Sequence, residues 1–220
     1  MRIALIGPVP PFRGGIAHYT SQLSLALAAA GHDLLLVSFK RQYPRWLFPG
    51  ESDRDPSQQQ IKSIQAQFWL DSLNPLTWLT TFRRIHRLKP DLIILPWWTV
   101  FWAPAWFVLG ALNRLFGTSE LIIHCHNVLP HDSRPWQRGV AKLVFRWADR
   151  FVVSSAAEGE RLHELLPHAA IAVSPLPVIQ IIEKLDVDKQ TAKERLKIEP
   201  SRPVLLFFGL IRPYKRLDLL

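Results

Sequence analysis

Arg2-Ile3-Ala4-Leu5-Ile6-Gly7-Pro8-Val9-Pro10-Pro11-Phe12-Arg13-Gly14-Gly15-Ile16 lies at the head of the chain and decides how the rest is read. Arg2–Ile6 is a short apolar run, too brief for a helix and suited to a buried parallel strand. Pro8 to Gly15 is too dense in proline and glycine for any regular element. From Ile16 the period changes: Ile16, Tyr19, Leu23, Leu27 and Ala30 fall on one helical face, and Gly31 can end that helix as its C′ residue. Strand, glycine loop and helix form the corner at which α/β domains meet phosphates. Gly14 and Gly15 let backbone approach a ligand, and free N–H groups at a helix start favour an anion. The loop is neither G-x-G-x-x-G nor a P-loop ending in G-K-S/T, so on these residues alone it either touches a ligand or merely turns the chain.

Working outward, the same alternation repeats. Asp33–Phe39 reads as a second strand, and Lys40–Gln60 is a polar loop long enough to be functional or disordered. Ile61–Leu70 is ambiguous, with a short strand as one reading. Asn74-Pro75 starts a helix that Lys89-Pro90 stops. Strands follow at Asp91–Leu95, Glu120–His124, Arg150–Ser154 and Ala170–Val173. Helices lie between them at Ala103–Phe116, Pro135–Ala148 and Ala156–Leu166. This order predicts an α/β fold with a doubly wound, mainly parallel, Rossmann-like sheet. Ligands of such sheets sit at the carboxyl ends of the strands. Gly14-Gly15, Trp97-Trp98, His126-Asn127 and Ser154-Ser155 all fall at that edge. The predicted organisation is a domain over 1–177, a charged linker over 178–202 with a helix at Lys189–Leu196, and a new strand and loop over 203–220.

An apolar content of 48% is ample for a core and excludes global disorder. The single cysteine, Cys125, makes no internal disulfide, which fits a cytoplasmic setting. The formal charge of +9 points to an anionic partner: a nucleotide, a nucleic acid or a lipid surface. No signal peptide is predicted, because Pro8 ends a very short apolar run. Leu92–Leu112 has no charged residue and is long enough to span a bilayer. Pro96 and Pro104 divide it, however, and two buried elements are the preferred reading over a transmembrane helix.

Arg212 and Lys215, just after the 203–209 strand, are suited to a diphosphate, the first as a fork and the second as a point charge. His126 ends a buried strand, where it can serve as a base or as a donor to a sugar hydroxyl, or be satisfied by local backbone. His124-Cys125-His126 offers alternating ligands without a clear third, so no metal is expected. Arg134, Arg138, Lys142, Arg146 and Arg150 recur along the fourth helix, with Trp136, Val140, Leu143, Val144 and Trp147 read as its apolar side. Arg83, Arg84, Arg87 and Lys89 form a second basic group. Each patch is either solvated surface or a contact for anionic lipid. No nucleic-acid motif accompanies the charge, and no nucleic-acid partner is expected.

Three stretches together resemble the group 1 (family 4) glycosyltransferases: Pro11–Ala17, His126-Asn127-Val128-Leu129-Pro130-His131, and Phe207-Phe208-Gly209-Leu210-Ile211-Arg212-Pro213-Tyr214-Lys215. Lys40-Arg41-Gln42-Tyr43-Pro44 resembles bacterial members. The resemblance implies a GT-B fold, in which two Rossmann-like domains face a cleft, with the acceptor mainly on the first and a nucleotide-sugar mainly on the second. It implies retaining sugar transfer without a bound metal or other cofactor. By motif, Gly14, Gly15, Arg212 and Lys215 would face the donor phosphates and His126 the transferred sugar, with Asn127 and Ser154 on the sugar or acceptor side. Leu210 stands where many members carry the arginine, and Arg216 where glycine is common. The family's E-x7-E motif does not follow, so the expectation is a truncated form that depends on a separate C-terminal polypeptide. Its partners would be a nucleotide-sugar and a sugar or lipid-linked acceptor of bacterial surface polysaccharide or glycolipid assembly. The rival is a non-catalytic domain that binds an anionic membrane surface through Arg83, Arg84, Arg87, Arg138, Lys142 and Arg146. The expected place is the cytoplasm, with peripheral attachment to the inner face of the membrane under the lipid reading.

Overall fold

A computed structural model describes residues 1–44, 46–47, 52–55, 63–130, 134–177, 187–207 and 216–219. The chain divides into two compact units, Met1–Ile179 and Gln180–Leu220. The first is a seven-stranded sheet in the order β3-β2-β1-β4-β5-β6-β7. Its strands are β1 (Arg2–Ile6), β2 (Asp33–Arg41), β3 (Ala66–Asp71), β4 (Leu92–Trp97), β5 (Glu120–Cys125), β6 (Arg150–Val153) and β7 (Ile171–Val173). Every neighbouring pair is parallel. All seven carboxyl ends therefore lie along one edge. The order reverses between β1 and β4, which makes the crevice above them the switch point of the sheet.

Helices α1 (Gly15–Ala29), α2 (Pro75–Leu88), α3 (Ala103–Phe116), α4 (Pro135–Phe145) and α5 (Ala156–Leu165) connect the strands. The predicted stop and start signals act as read. Gly31 takes φ +80°, and the Gly31 and His32 amides donate to Ala28 and Leu27, the paired bonds of a Schellman end. Asn74 caps α2 by accepting from the Leu76 amide at 3.1 Å, with Pro75 in the first turn. The uncharged stretch Leu92–Leu112 resolves into β4 and most of α3, and no helix among the described residues is long and apolar enough to cross a membrane.

Two faces differ from the sequence reading. In α1 the most deeply buried side chains are Ala17, Thr20, Ser21 and Ser24, while Ile16, Tyr19, Leu23 and Leu27 are half-buried and Ala30 is exposed. The three hydroxyls bond within the helix, to the carbonyls of Ile16, Ala17 and Ser21. Small, self-satisfied side chains let the helix lie close to the sheet: a Cβ on Gly7 would meet Thr20 Oγ1 at 2.7 Å. In α4 the core takes Ala141, Val144 and Phe145, leaving Trp136 (55% exposed) and Leu143 (48%) among the arginines. The helix ends at Phe145, three residues before Ala148.

The core is aromatic. Trp97, Trp102, Trp106, Phe39 and Phe145 are fully buried, with Trp102 stacked on Trp106 at 5.2 Å. In the second unit, α6 (Lys189–Arg195) is capped by Asp188, which accepts from Gln190 and Thr191. Residues 203–207, read as the start of a strand, form none, and Val204, Leu205 and Leu206 are exposed. A strand exists only through its neighbour's hydrogen bonds, and the described residues of this unit supply no neighbour.

Candidate functional site

The site is built at the carboxyl edge of β1, β4, β5 and β6. Gly14 stands at the N-cap of α1 with φ +111° and ψ 166°, a conformation that disfavours any side chain. Neither Gly14 nor Gly15 has any atom within 4 Å of where a Cβ would sit, so the backbone here faces open space. The first turn of α1 carries no acidic residue and no side-chain cap, leaving its N–H groups available to an anion.

The second component follows β5. The ring of His126 stacks on that of His124, with centroids 4.7 Å apart and planes 20° apart. Tyr19, one turn into α1, sets its ring edge-on against both, at 4.9 Å from His124 and 5.3 Å from His126. The glycine-loop helix and the His126 turn are thus packed together through one tyrosine. Burial pushes His124 down to about 4. It also pushes His126 down to about 3, with the neighbouring His124 adding to the effect. Both rings are therefore neutral at pH 7, and His126 offers a neutral hydrogen-bonding edge rather than a charge. Burial raises the Cys125 thiol well above its ordinary range, which leaves it inert as a nucleophile.

The turn after His126 is fixed from both sides. The His126 amide donates to the Trp97 carbonyl at 2.8 Å, and Trp97 Nε1 donates to the Val128 carbonyl at 3.0 Å. The Val128 amide donates to Glu158 Oε2 at 2.6 Å, and Arg161 holds the other oxygen at 2.6 Å. Ser155-Ala156-Ala157-Glu158 has the form of a capping box, and Ser155 does accept from the Glu158 amide. The carboxylate, however, goes to a different loop. Sequence reasoning passed over Tyr19 and Glu158: the first read only as part of the apolar face of the first helix, the second only as a position within the Ala156–Leu166 helix.

Asn127 is exposed beside this turn, and Ser154 is half-buried after β6. Arg83, Arg84 and Arg87 are exposed on α2, with Arg84 over the Trp69 ring at 4.8 Å. Arg138 and Lys142 are exposed on α4, and Arg146 caps that helix and lies over Trp147 at 5.1 Å. These two basic groups stand on separate helices, α2 and α4. Arg212, Lys215 and His131 lie outside the described residues. Among the described residues no three His, Cys, Asp or Glu side chains converge as metal ligands.

A further segment is tied to the glycine loop. Residues 52–55 run antiparallel to 11–13, with Arg54 bridged to Phe12. The Arg13 amide donates to the Asp53 carbonyl at 3.0 Å and the Asp55 amide to the Pro11 carbonyl at 2.8 Å.

The fold has known counterparts. The structure of S. aureus MnaA with UDP is similar at a TM-score of 0.57 and 14% identity, over 89% of this chain and 51% of that one. A UDP-N-acetylglucosamine 2-epimerase is similar at 0.52 and 13%, over 79% of this chain and 48% of that one. This chain thus spans about half the length of both. At such identities the likeness is one of fold. No curated protein sequence matches the chain. The profile of the glycosyl transferase 4-like domain matches residues 14–177, from the first loop glycine to Pro177. By that match, the chain belongs to the family of glycosyl transferase 4-like domains.

Proposed function

We propose that the chain is the acceptor-side half of a retaining, nucleotide-sugar-dependent glycosyltransferase acting in bacterial surface polysaccharide or glycolipid assembly. The observation that carries this reading is the packing of Tyr19 against His126, which puts the open glycine loop and the neutral histidine at one sheet edge. The bare amides of α1 would meet the donor phosphates, and His126 would hydrogen-bond a hydroxyl of the transferred sugar. Asn127 and Ser154 would contact the sugar or acceptor. Arg212 and Lys215 would neutralise the diphosphate as the glycosidic bond breaks, a task that needs no bound metal. In this reading residues 1–177 form the acceptor-side domain, 178–202 a linker and 203–220 the opening of the donor-binding domain. Transfer then requires a nucleotide-binding half in addition to these residues. The UDP in the MnaA structure supports a uridine nucleotide as the first donor to try.

Saturation-transfer NMR with UDP-N-acetylglucosamine and the 220-residue chain tests the reading. Sugar-ring protons should receive transfer, and His126→Ala should abolish it. No transfer, or transfer unchanged in the variant, overturns it, as does measurable sugar turnover by this chain alone.

A second reading has its own observation: Trp136 and Leu143 are exposed among Arg138, Lys142 and Arg146 on α4. Aromatic and aliphatic side chains set among cations suit an anionic membrane face, with the protein attached peripherally on the cytoplasmic side. Flotation with anionic liposomes that survives neutralising Arg138, Lys142 and Arg146 removes this reading.

A further inference from the structure

Beside the glycine loop, at the carboxyl ends of β2 and β3, lies a cavity of about 700 Å³ that none of the motif assignments uses. Its walls are Phe12, Lys40 and Arg41, Tyr43 and Pro44, Trp46, residues 52–54 and Leu73. Two chemistries meet there. Lys40, Arg41 and Arg54 bring positive charge against the single carboxylate of Asp53. Arg41 is already engaged by Asp71 through two bonds, at 3.0 and 2.7 Å. Burial pushes the Asp71 carboxyl up, but the Arg41 guanidinium and the Leu73 amide outweigh it and hold the group below its usual range. Arg41 is therefore spoken for, whereas Lys40, whose charge also helps to lower Asp71, and Arg54 are exposed and make no ion pair within 4 Å among the described residues. Both also line the adjoining cavity against Pro11, Phe39 and Phe68.

The other chemistry is apolar. Trp46 is 78% exposed and Leu73 48% exposed, both lining the cavity; exposed Leu47 follows Trp46, and exposed Leu76 stands three residues after Leu73. Large apolar side chains left in water around exposed cations match a ligand whose anionic head is joined to an apolar chain. The floor is rigid: Trp98 Nε1 donates to the Tyr43 hydroxyl at 2.6 Å, which fixes the start of the loop against the core. The wall at 52–55 is bonded to Pro11 and Arg13, directly before Gly14, so the cavity adjoins the loop assigned to the donor.

We propose that this cavity binds the phosphate of a lipid-linked acceptor, with Lys40 and Arg54 on the phosphate and Trp46 and Leu73 on the first part of its apolar chain. The assignment rests on the glycosyl-transfer reading above and narrows its acceptor to a phosphate ester of a long apolar alcohol. Calorimetric titration of the 220-residue chain with farnesyl phosphate, farnesol and inorganic phosphate tests it. Farnesyl phosphate should bind at least tenfold more tightly than either half. Lys40→Gln with Arg54→Gln should weaken it at least tenfold, Trp46→Ala with Leu73→Ala should weaken farnesyl phosphate without affecting inorganic phosphate, and Asp53→Asn should tighten it. Far-UV circular dichroism and thermal midpoints confirm that each variant is folded.

Equal affinity for farnesyl phosphate and inorganic phosphate overturns the proposal, as does affinity unchanged by the double glutamine variant, or no binding. If farnesyl phosphate fails while the UDP-N-acetylglucosamine signal persists and still depends on His126, only the cavity assignment falls. If the nucleotide-sugar signal is absent while farnesyl phosphate binds, the glycosyl-transfer reading falls instead.

Discussion

His124 and His126 are buried against one another and against Tyr19, and this sets a pH dependence with a definite sign. In the unfolded chain each ring takes a proton near pH 6.5, whereas folded His124 does so near 4 and His126 near 3. Below 6.5 the unfolded chain binds more protons than the folded one, so stability is complete above that value and lost as pH falls toward 3. Urea titrations at pH 7 and pH 5 should show a loss of about 2 kcal/mol from His124 alone, and His124→Gln should remove that share while leaving the share of His126. Glu158 gives a second test at this scale. Glu158→Ala strands the buried Val128 amide and should lower stability by about 2 kcal/mol, while Glu158→Gln, which can still accept that bond, should restore most of it. The histidines were legible as candidates because they end an apolar run. Their titration was not, because it depends on the burial that packing in the folded domain creates.

Among the elements, the glycine loop is where two adjacent identical residues have different duties. Gly14→Ala forces a side chain into φ +111° and should cost roughly 1–3 kcal/mol. Gly15→Ala meets open space at an ordinary φ and should leave the thermal midpoint unchanged while weakening the nucleotide-sugar NMR signal. Element order was readable because strand runs such as Arg2–Ile6, which Gly7-Pro8 ends, and Glu120–Cys125, with Leu121-Ile122-Ile123 at its centre, are short and largely apolar. Helix faces were less readable. In α1 the pattern of large apolar residues pointed to Ile16 and Tyr19, but close approach to Gly7 selects small hydroxyl residues for the innermost face. In α4 the apolar side chains outnumber the positions facing the sheet, so Trp136 and Leu143 are left outside. Residues 203–207 show the opposite case: an apolar run forms no strand where the described residues supply no partner.

At the level of the whole molecule, the sheet, its aromatic core and the Tyr19–His126 contact all lie within Met1–Ile179. A chain ending at Ile179 should therefore unfold in one cooperative step at the urea midpoint of the full 220 residues, read by tryptophan fluorescence. Fold class was legible from alternation alone, since parallel strands need helical crossovers. The charged cavity was visible in the sequence only as an overlong polar loop, because its wall forms when residues 52–55 come back against 11–13. Those two short stretches share the amides of Arg13 and Asp55, each bonded across the gap. Each amide is consequently a natural reporter placed between two prospective binding sites. Its deuterium uptake should slow when either neighbour is filled, and the slowing produced by both together against each alone measures, in free energy, how far one occupant senses the other.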